Sequence, residues 1–466
     1  MSFNLIKFSS PKEYSKVINQ NLNNLKELEE NKYLKEYLKV LKKETTIDEK
    51  YSILYIKRHL LTNLEYNLES NLKFSKIPFF LYYFLRILLS IFQSLIKYDK
   101  KNNYNLLIDD WYNNSIKSFY SFSDDDFKDI KFKIMNASQI NKILFRDLYK
   151  SIFIYFKTRK IIKILSKELN INFKFIHSII ILNFFTGRYL KYKFNPKIIL
   201  SGNDNGFPYL KAKSANCKLF TIQNGIRGKE SDANFTYADL YFSFLTKESS
   251  YIREEGGCIN EKHIEIGSYR LSEFYKNYIK TPIKFDVTYI GTYSNSIENE
   301  CLLKHFFSHK TNEVESIKTF NSLTKEFPNL KFSYFPRNNN EIFELEKSGL
   351  ISDNIEYLDR NTYNIYNVIT STNLILSSCS TTGIEALALN KKIGFINQSG
   401  NEDLNPLFFN EEIEFKKNIY FPDDLKSFIE HILTHSIRIE KYIKQDFDAK
   451  NTILNYIKEY INEKES

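Results

Sequence analysis

The chain is poor in cysteine, and the cysteines that it has are far apart. Only Cys217, Cys258, Cys301 and Cys379 occur in 466 residues, and no two of them form a C-x-x-C pair. Such spacing provides neither a zinc site nor a disulfide framework, so we expect a protein of a reducing compartment.

Glycine and proline are also scarce, with 13 and 9 copies. No Walker loop and no G-x-G-x-x-G run is present, which argues against an ATPase or a dinucleotide-dependent oxidoreductase. The first residues, MSFNLIKFSSPKEYSK, lack the continuous apolar core of a secretory signal. We therefore expect a cytoplasmic protein.

Basic and aromatic residues, in contrast, are abundant. Lys and Arg number 66 against 56 Asp and Glu, which gives a net charge of +10, and there are 40 Phe and 33 Tyr. This composition is typical of proteins that neutralise phosphates and stack bases. An A/T-rich genome would produce the same bias, and we favour that interpretation. The length predicts two to four domains with a substantial core.

The stretch from Phe79 to Ile96 is long and apolar enough to raise the question of a membrane. Its polar residues fall on one narrow helical stripe, namely Arg86, Ser90, Gln93, Ser94 and Lys97. A spanning helix has no need of such a stripe, and a charge at its centre is costly. A helix buried on most sides is the first interpretation, contact with a membrane interface the second, and a true span the third.

Residues 1–190 show long helical patterns with charged faces, and we expect a mainly helical N-terminal region. Within it, Ser123 followed by three aspartates at 124–126 predicts a helix cap with an acidic first turn. The same letters match a D-x-D pattern that holds a metal-bound nucleotide diphosphate. We disfavour that interpretation because no convincing buried strand leads into the run, and we disfavour the similar Asp446-Phe447-Asp448 because it sits inside a helical pattern.

After about residue 190, short apolar runs alternate with helical segments, which indicates an α/β fold with doubly wound parallel sheets. We predict one α/β domain at 191–280 and a second at 285–435, joined by a linker around Thr281-Pro282. Their carboxyl strand ends would face each other across a ligand-binding cleft. A last helix, within 436–466, is expected to pack back on the lobes. Strands are predicted at 196–204, 218–225, 240–246, 263–268, 285–294, 330–337, 373–378 and 392–397.

The most informative run, SSCSTTG at 377–383, joins a predicted strand to a predicted helix. Small hydroxyl residues at a helix start suit a phosphate, because the N–H groups there are unpaired and the helix dipole favours an anion. Glu385, one turn further, could reach the hydroxyls of a ribose. The alternative is helix capping, with Thr382 as the N-cap and Glu385 as its partner. The pattern alone leaves both open.

This strand, its S-T-T-x-x-E-A-L turn and the following K-K-I-G-F-I-N resemble the donor-nucleotide motif of GT-B-fold glycosyltransferases. The motif is most similar to bacterial capsule and lipopolysaccharide transferases of the sialyltransferase- and Kdo-transferase-like subset, and also to teichoic acid glycerophosphotransferases. The resemblance implies that Ser380, Thr381 and Thr382 hold the donor phosphate and that Glu385 holds the ribose. It also implies that the second domain binds the nucleotide donor and the first domain the acceptor.

Two further strand ends fit the nucleotide site. In SYFPRNNN, Phe335 stands where sialyltransferase-like enzymes carry the His of a His-Pro pair, so the resemblance carries over only Pro336 and Arg337. Arg337 also suits a phosphate on chemical grounds, the alternative being a solvated loop arginine. Gly291 and Thr292 end another strand, and glycine there suits close approach of a ligand to the backbone.

On the acceptor side, surface-carbohydrate transferases often show Gln-His-Gly where this chain has Gln223, Asn224 and Gly225. Asn cannot take a proton, so a general base must come from elsewhere. Asp204 is the candidate, with an Asx turn between two strand-end glycines as its alternative. In reserve are Glu230, Asp232 and Asp239 as bases, and Arg227 and Lys229 as partners of an acidic substrate.

The leading hypothesis is a glycosyltransferase that moves a sugar, preferably a CMP-activated ulosonic acid, onto a surface polysaccharide or lipid-linked glycan. No cofactor or metal is expected, because hydroxyl and helix N–H groups can meet a monophosphate leaving group, and the pairs His305/His309 and His431/His435 lack a third ligand. Peripheral contact with the inner face of the membrane is open, and no nucleic-acid partner is expected. The rivals are a CDP-alcohol glycerophosphotransferase and a non-catalytic protein that binds nucleic acid or carbohydrate.

Overall fold

The computed structural model describes the greater part of the chain. The described residues are 23–65, 79–96, 101–110, 122–169, 171–204, 208–225, 235–244, 259–279, 281–292, 303–378, 380–397, 416–419, 421–435 and 445–463. Cys217 is buried, and the other three cysteines lie outside these ranges.

The first sheet has six parallel strands in the order β2-β1-β3-β4-β5-β6. Leu106 at the start of β1 lies opposite Phe132 on one side and Ile198 on the other, so β1 is an interior strand. The order reverses between β1 and β3, which makes their carboxyl ends a switch point where ligands bind in open α/β sheets. The strands are β1 (Leu106–Asp109), β2 (Phe132–Met135), β3 (Ile198–Ser201), β4 (Lys218–Ile222), β5 (Tyr237–Ser243) and β6 (Ile259–Glu265).

Helices cover one face of this sheet. Their apolar side chains form one core with Leu107, Ile199 and Leu219, which point to the same face from three neighbouring strands. The helices are α1 (Lys32–Thr45), α2 (Glu49–Glu65), α3 (Phe79–Ile96), α4 (Leu148–Glu168), α5 (Phe173–Phe194) and α6 (Tyr209–Ala215). The helical N-terminal region is therefore present, as predicted.

That region also contributes strands, which the sequence did not indicate. Both β1 and β2 come from before residue 190, so the predicted boundary there does not coincide with an edge of the sheet. The aspartates at 124–126 lie in a short 3-10 turn, where the Asp126 carboxylate accepts hydrogen bonds from Ser123 N at 2.7 Å and Oγ at 3.0 Å. The interpretation as a capped turn is confirmed.

The second sheet is also six-stranded and parallel, in the order β12-β11-β10-β7-β8-β9. When the six strands are renumbered from β7, their order across the sheet is 6-5-4-1-2-3, which is the order of dinucleotide-binding folds. The switch point lies between β7 and β10. The strands are β7 (Phe285–Ile290), β8 (Phe332–Phe335), β9 (Ile355–Tyr357), β10 (Thr372–Ser377), β11 (Lys392–Ile396) and β12 (Lys416–Ile419). The predicted class, an α/β GT-B-like fold with two doubly wound sheets, is confirmed.

The remaining helices include one that crosses back to the first domain. Ile453, Leu454 and Ile457 of the last helix pack in one core with Ile108 and Leu240 of the first sheet. The one-sided apolar pattern of this helix predicted that it packs back on the lobes, without indicating which one. These helices are α7 (Tyr269–Tyr275), α8 (Leu303–Glu326), α9 (Asn340–Lys347), α10 (Ile365–Thr370), α11 (Thr381–Ala388), α12 (Pro422–Thr434) and α13 (Ala449–Glu463).

Helix α3 differs from its first interpretation as a helix buried on most sides. Ile87, Ser90 and Ile91 are buried, whereas five large apolar side chains are between 37% and 62% exposed, namely Leu85, Leu88, Leu89, Phe92 and Leu95. Among the described helices, none combines the length and the hydropathy needed to cross a membrane.

Candidate functional site

At the switch point of the second sheet, buried and half-buried side chains join the ends of β7 and β10. Thr292 Oγ1 lies 3.1 Å from Ser378 Oγ. Both polar groups of Thr292 bind Glu313 of α8, with its N donating at 2.8 Å and its Oγ1 at 3.0 Å. Burial raises the pKa of Glu313, and hydrogen bonds from Ser378 and Thr292 oppose the rise. Glu313 therefore fixes the two strand ends that border the crevice.

Gly291 is explained by packing within the protein. A Cβ at this position would overlap the Tyr334 hydroxyl and the Glu341 carboxylate, which bond to each other at 2.6 Å. The space that we assigned to an approaching ligand is thus filled by two side chains of the domain itself.

Ser380 caps helix α11, which follows β10. Its Oγ accepts a hydrogen bond from Thr382 N at 3.2 Å, and Ser377 Oγ accepts one from Ser380 N at 3.2 Å. The side chains of Ser380, Thr381 and Thr382 are half-buried at this helix start. The capping alternative predicted Thr382 as the N-cap with Glu385 as its partner, and this is wrong, because Thr382 lies within the first turn.

Glu385 does not take part in the helix cap and forms hydrogen bonds with groups from other elements. Although only 2% exposed, its Oε1 accepts the Ser268 hydroxyl at 2.5 Å and the Tyr366 hydroxyl at 3.1 Å. Arg270 Nη2 lies 3.7 Å from the same oxygen. Since Ser268 and Arg270 follow the last strand of the first sheet, Glu385 links helix α11 to the first domain.

Arg270 lies between Glu385 of α11 and the backbone that follows β4. The sequence did not indicate this role. Arg270 Nη2 also lies 3.5 Å from the carbonyl oxygen of Asn224, directly after β4. Its side chain remains 37% exposed, so a soluble anion can reach it. The sequence GSYRLSEF contains a signal for this residue, because it places a cation in the first turn of α7, just after the end of β6.

Further arginines lie at the end of β8 and beyond. Pro336 is buried and Arg337 is exposed. Arg337 N donates to the Glu341 carboxylate, and its carbonyl accepts a hydrogen bond from Arg360 Nη1. Burial lowers the pKa of Arg360, Glu341 opposes this, and the charge of Arg270 adds to the lowering. Arg360 and Arg270 are thus near enough for their charges to repel.

On the acceptor side, Asp204 and Gln223 are both buried. Asp204 Oδ2 accepts the Tyr241 hydroxyl at 2.8 Å, and its carbonyl accepts Thr236 Oγ1 at 3.1 Å. Gln223 accepts from Phe244 N at 2.7 Å and donates to the Gly225 carbonyl at 2.8 Å. Gln223 therefore holds the half-buried Asn224–Gly225 turn in place.

Of the reserve candidates only Asp239 lies within the described residues, and the histidine pairs can be placed only in part. Asp239 is buried in an ion pair with Lys218 at 2.7 Å, whereas Arg227, Lys229, Glu230 and Asp232 lie outside the described residues. His431 and His435 lie with ring centroids 4.6 Å apart, and the His305 and His309 side chains are not described. Among the described residues, no three His, Cys, Asp or Glu side chains are grouped as a metal site would require.

Comparison with known proteins gives only distant similarity. No protein-family model matches the chain, and no curated protein matches its sequence. The UDP-N-acetylglucosamine 2-epimerase of Rickettsia bellii has 13% identity and a TM-score of 0.46, covering 77% of this chain and 95% of that one. The Neisseria meningitidis UDP-GlcNAc 2-epimerase has 11% identity and a TM-score of 0.44, covering 76% and 99%. The wall teichoic acid polymerase TagF has 11% identity and a TM-score of 0.39, covering 88% and 99%. At this distance we argue function from the residues of the site alone.

Proposed function

We propose that the chain is a nucleotide-sugar-dependent glycosyltransferase whose donor phosphate rests on the start of helix α11. The observation that supports this most is the convergence of half-buried Thr381 and Thr382 with Glu385 and the partly exposed Arg270. The helix dipole makes this helix start favourable for an anion, the threonines offer hydroxyls, and the guanidinium offers a positive charge. Together these groups suit a phosphate attached to a ribose.

The arginines supply the charge that a leaving phosphate requires. Arg270 would bind it from the first domain, while Arg337 and Arg360 would face it from the second. Because Arg270 and Arg360 carry charges of the same sign, an anion bound by both would gain from both. A monophosphate can leave with these donors alone, and a CMP-activated ulosonic acid remains our preferred donor.

The acceptor would lie against the Gln223–Gly225 turn, opposite the donor. Its hydroxyl oxygen attacks the anomeric carbon, the bond from that carbon to the phosphate oxygen breaks, and the nucleotide leaves with the electron pair. Asp204 is the proposed base that takes the hydroxyl proton in an inverting displacement. Since it is only 2% exposed, we propose that acceptor binding uncovers its carboxylate. A lipid-linked acceptor would bring the enzyme to the inner face of the membrane.

A thermal-shift screen against CMP, CDP, UDP, GDP and dTDP tests the donor site. A nucleotide that binds the folded state at about 100 times its Kd adds about 2.7 kcal/mol to the free energy of unfolding. Stabilisation by CMP above the others supports the ulosonic acid donor, whereas a response to CDP and to CDP-glycerol favours the glycerophosphotransferase.

Two variants show whether the response comes from this site. Thr382→Val removes a hydroxyl but keeps the shape of the side chain, and Arg270→Gln removes the bridging charge. Both should reduce the nucleotide-induced shift, while Arg159→Gln, an exposed arginine on α4, should leave it unchanged. A chain that responds to no nucleotide but binds RNA in a salt-sensitive manner would contradict the proposal.

A further inference from the structure

Helix α3 presents its apolar face outward. Leu85, Leu88, Leu89, Phe92 and Leu95 are spaced by three or four residues, so they share one face of the helix, and all five are exposed. The buried Ile87 and Ile91 lie on the other face. Helices at the surface of a soluble domain carry the opposite pattern, and a continuous exposed apolar surface marks an interaction site.

The neighbouring helix α4 extends this surface. The two helices contact each other, and α4 exposes Tyr149, Phe153 and Phe156 at helical spacing. Phe145, just before α4, is 69% exposed as well. We call the exposed apolar side chains of α3 and α4, together with Phe145, the apolar patch.

The charged side chains between Leu148 and Lys167 are all basic, and one of them, Lys157, is paired with Glu44 of α1 at 2.5 Å. No acidic residue occurs in 79–96 or between Leu148 and Lys167, and the nearby Asp147 is buried against Arg188 at 2.9 Å. The aromatic stripe of α4 is continued along the same face by exposed Lys160 and Lys163. An apolar face bordered by cations is the pattern of helices that lie in the interface of an anionic bilayer.

We propose that the apolar patch docks the protein on the surface of an anionic membrane, with α3 lying in the interface. The apolar side chains would enter the acyl boundary, and the lysines and arginines of α4 would contact lipid phosphates. A second copy of the chain is a poorer occupant, because a two-fold interface would bring the exposed Lys160 and Lys163 of both copies into one interface. The patch is separate from the proposed donor site, so this proposal does not depend on transferase activity.

Co-sedimentation of the full chain with vesicles tests the docking. We expect binding to vesicles of phosphatidylglycerol and phosphatidylcholine in equal parts, weaker binding to phosphatidylcholine alone, and weaker binding at high salt. Leu89→Glu with Phe92→Glu should lower the partition coefficient by about tenfold per residue. Phe343→Glu is the matched control, because Phe343 is 67% exposed on α9, outside the patch. Lys160→Glu with Lys163→Glu should weaken binding to the anionic vesicles only.

Since the substituted side chains are exposed, the melting temperature of each variant should match that of the parent chain. Equal vesicle binding by the Leu89/Phe92 variant and the Phe343 control would overturn the proposal. So would a failure of the parent chain to bind anionic vesicles. A dimer in solution that the Leu89/Phe92 variant dissolves, with no vesicle binding, would overturn it in favour of a second copy.

Discussion

Glu385 provides the sharpest test of how the two domains are held around the site. In the free protein this buried carboxylate accepts the hydroxyls of Ser268 and Tyr366 and faces Arg270. Glu385→Ala leaves both hydroxyls without that acceptor, at about 1–3 kcal/mol each. With the cavity added, we expect the free energy of unfolding to fall by about 3–5 kcal/mol. Glu385→Gln keeps the volume and one oxygen, and should cost about 1–2 kcal/mol.

The ion pair contributes only a small part of this cost. Arg270 is 37% exposed and lies 3.7 Å from Glu385, so water compensates for much of the attraction. A double-mutant cycle of Glu385→Gln with Arg270→Gln should therefore give a coupling of about 0.5–1 kcal/mol. Urea unfolding of the four proteins, followed by circular dichroism, measures it.

Two results would refute this reasoning. A cost below about 1 kcal/mol for Glu385→Ala would mean that the buried bridge is not formed in solution. A coupling of zero would mean that Arg270 points elsewhere, and its assignment to the donor phosphate would lose its structural support. If Glu385 also holds the ribose, Glu385→Gln should lose nucleotide-induced stabilisation beyond its cost to the free protein.

Three other predictions concern stability and the base. Gly291→Ala should lower the free energy of unfolding by about 2–3 kcal/mol, because its Cβ would overlap Tyr334. The control is Gly349→Ala, where a Cβ meets open space at a φ of +67°, and it should cost only about 1 kcal/mol. Equal costs for the two variants in urea titrations would argue against the overlap. Asp204→Asn should leave nucleotide binding intact and lower turnover about 10²–10⁴-fold, so that retained turnover in a transfer assay rejects Asp204 as the base. Burial lowers the pKa of His177 to about 3, below its value of about 6.5 in the unfolded chain. Between these two pH values the unfolded state binds a proton that the folded state does not. The free energy of unfolding should therefore fall as the pH drops from about 6.5 towards 3. His177→Gln should flatten this slope in urea midpoints measured at pH 7.5 to 4.5, and an unchanged slope would contradict the origin that we assign to it.

Eight of the strands were predictable because each contains or adjoins an apolar run that ends in a polar or glycine-containing turn, although β6 itself is mostly half-buried or exposed. The predicted runs 218–225 and 373–378, for example, correspond to Lys218–Ile222 and Thr372–Ser377. The strands β1 and β2 were missed because they lie in the region whose pattern was interpreted as helical, and β9 and β12 because their sequences, IEY and KKNI, are not continuous apolar runs. The place of such a strand in the sheet is set by neighbours distant in sequence.

The candidate site also has features that the sequence determined and features that it did not. The sequence determined that hydroxyl residues stand at a helix start after a buried strand, because a strand, a cap and a helix are encoded by neighbouring residues. It did not determine what Glu385 does, since the same T-x-x-E letters fit capping and ligand contact equally well. Only the tertiary structure, which brings Ser268 and Arg270 across from the first domain, showed that Glu385 bridges the domains. In α3, likewise, the sequence periodicity determined the helix and its two faces. Which face met the core depended on packing against α4 and α5, and in the folded protein the leucines are on the exposed face.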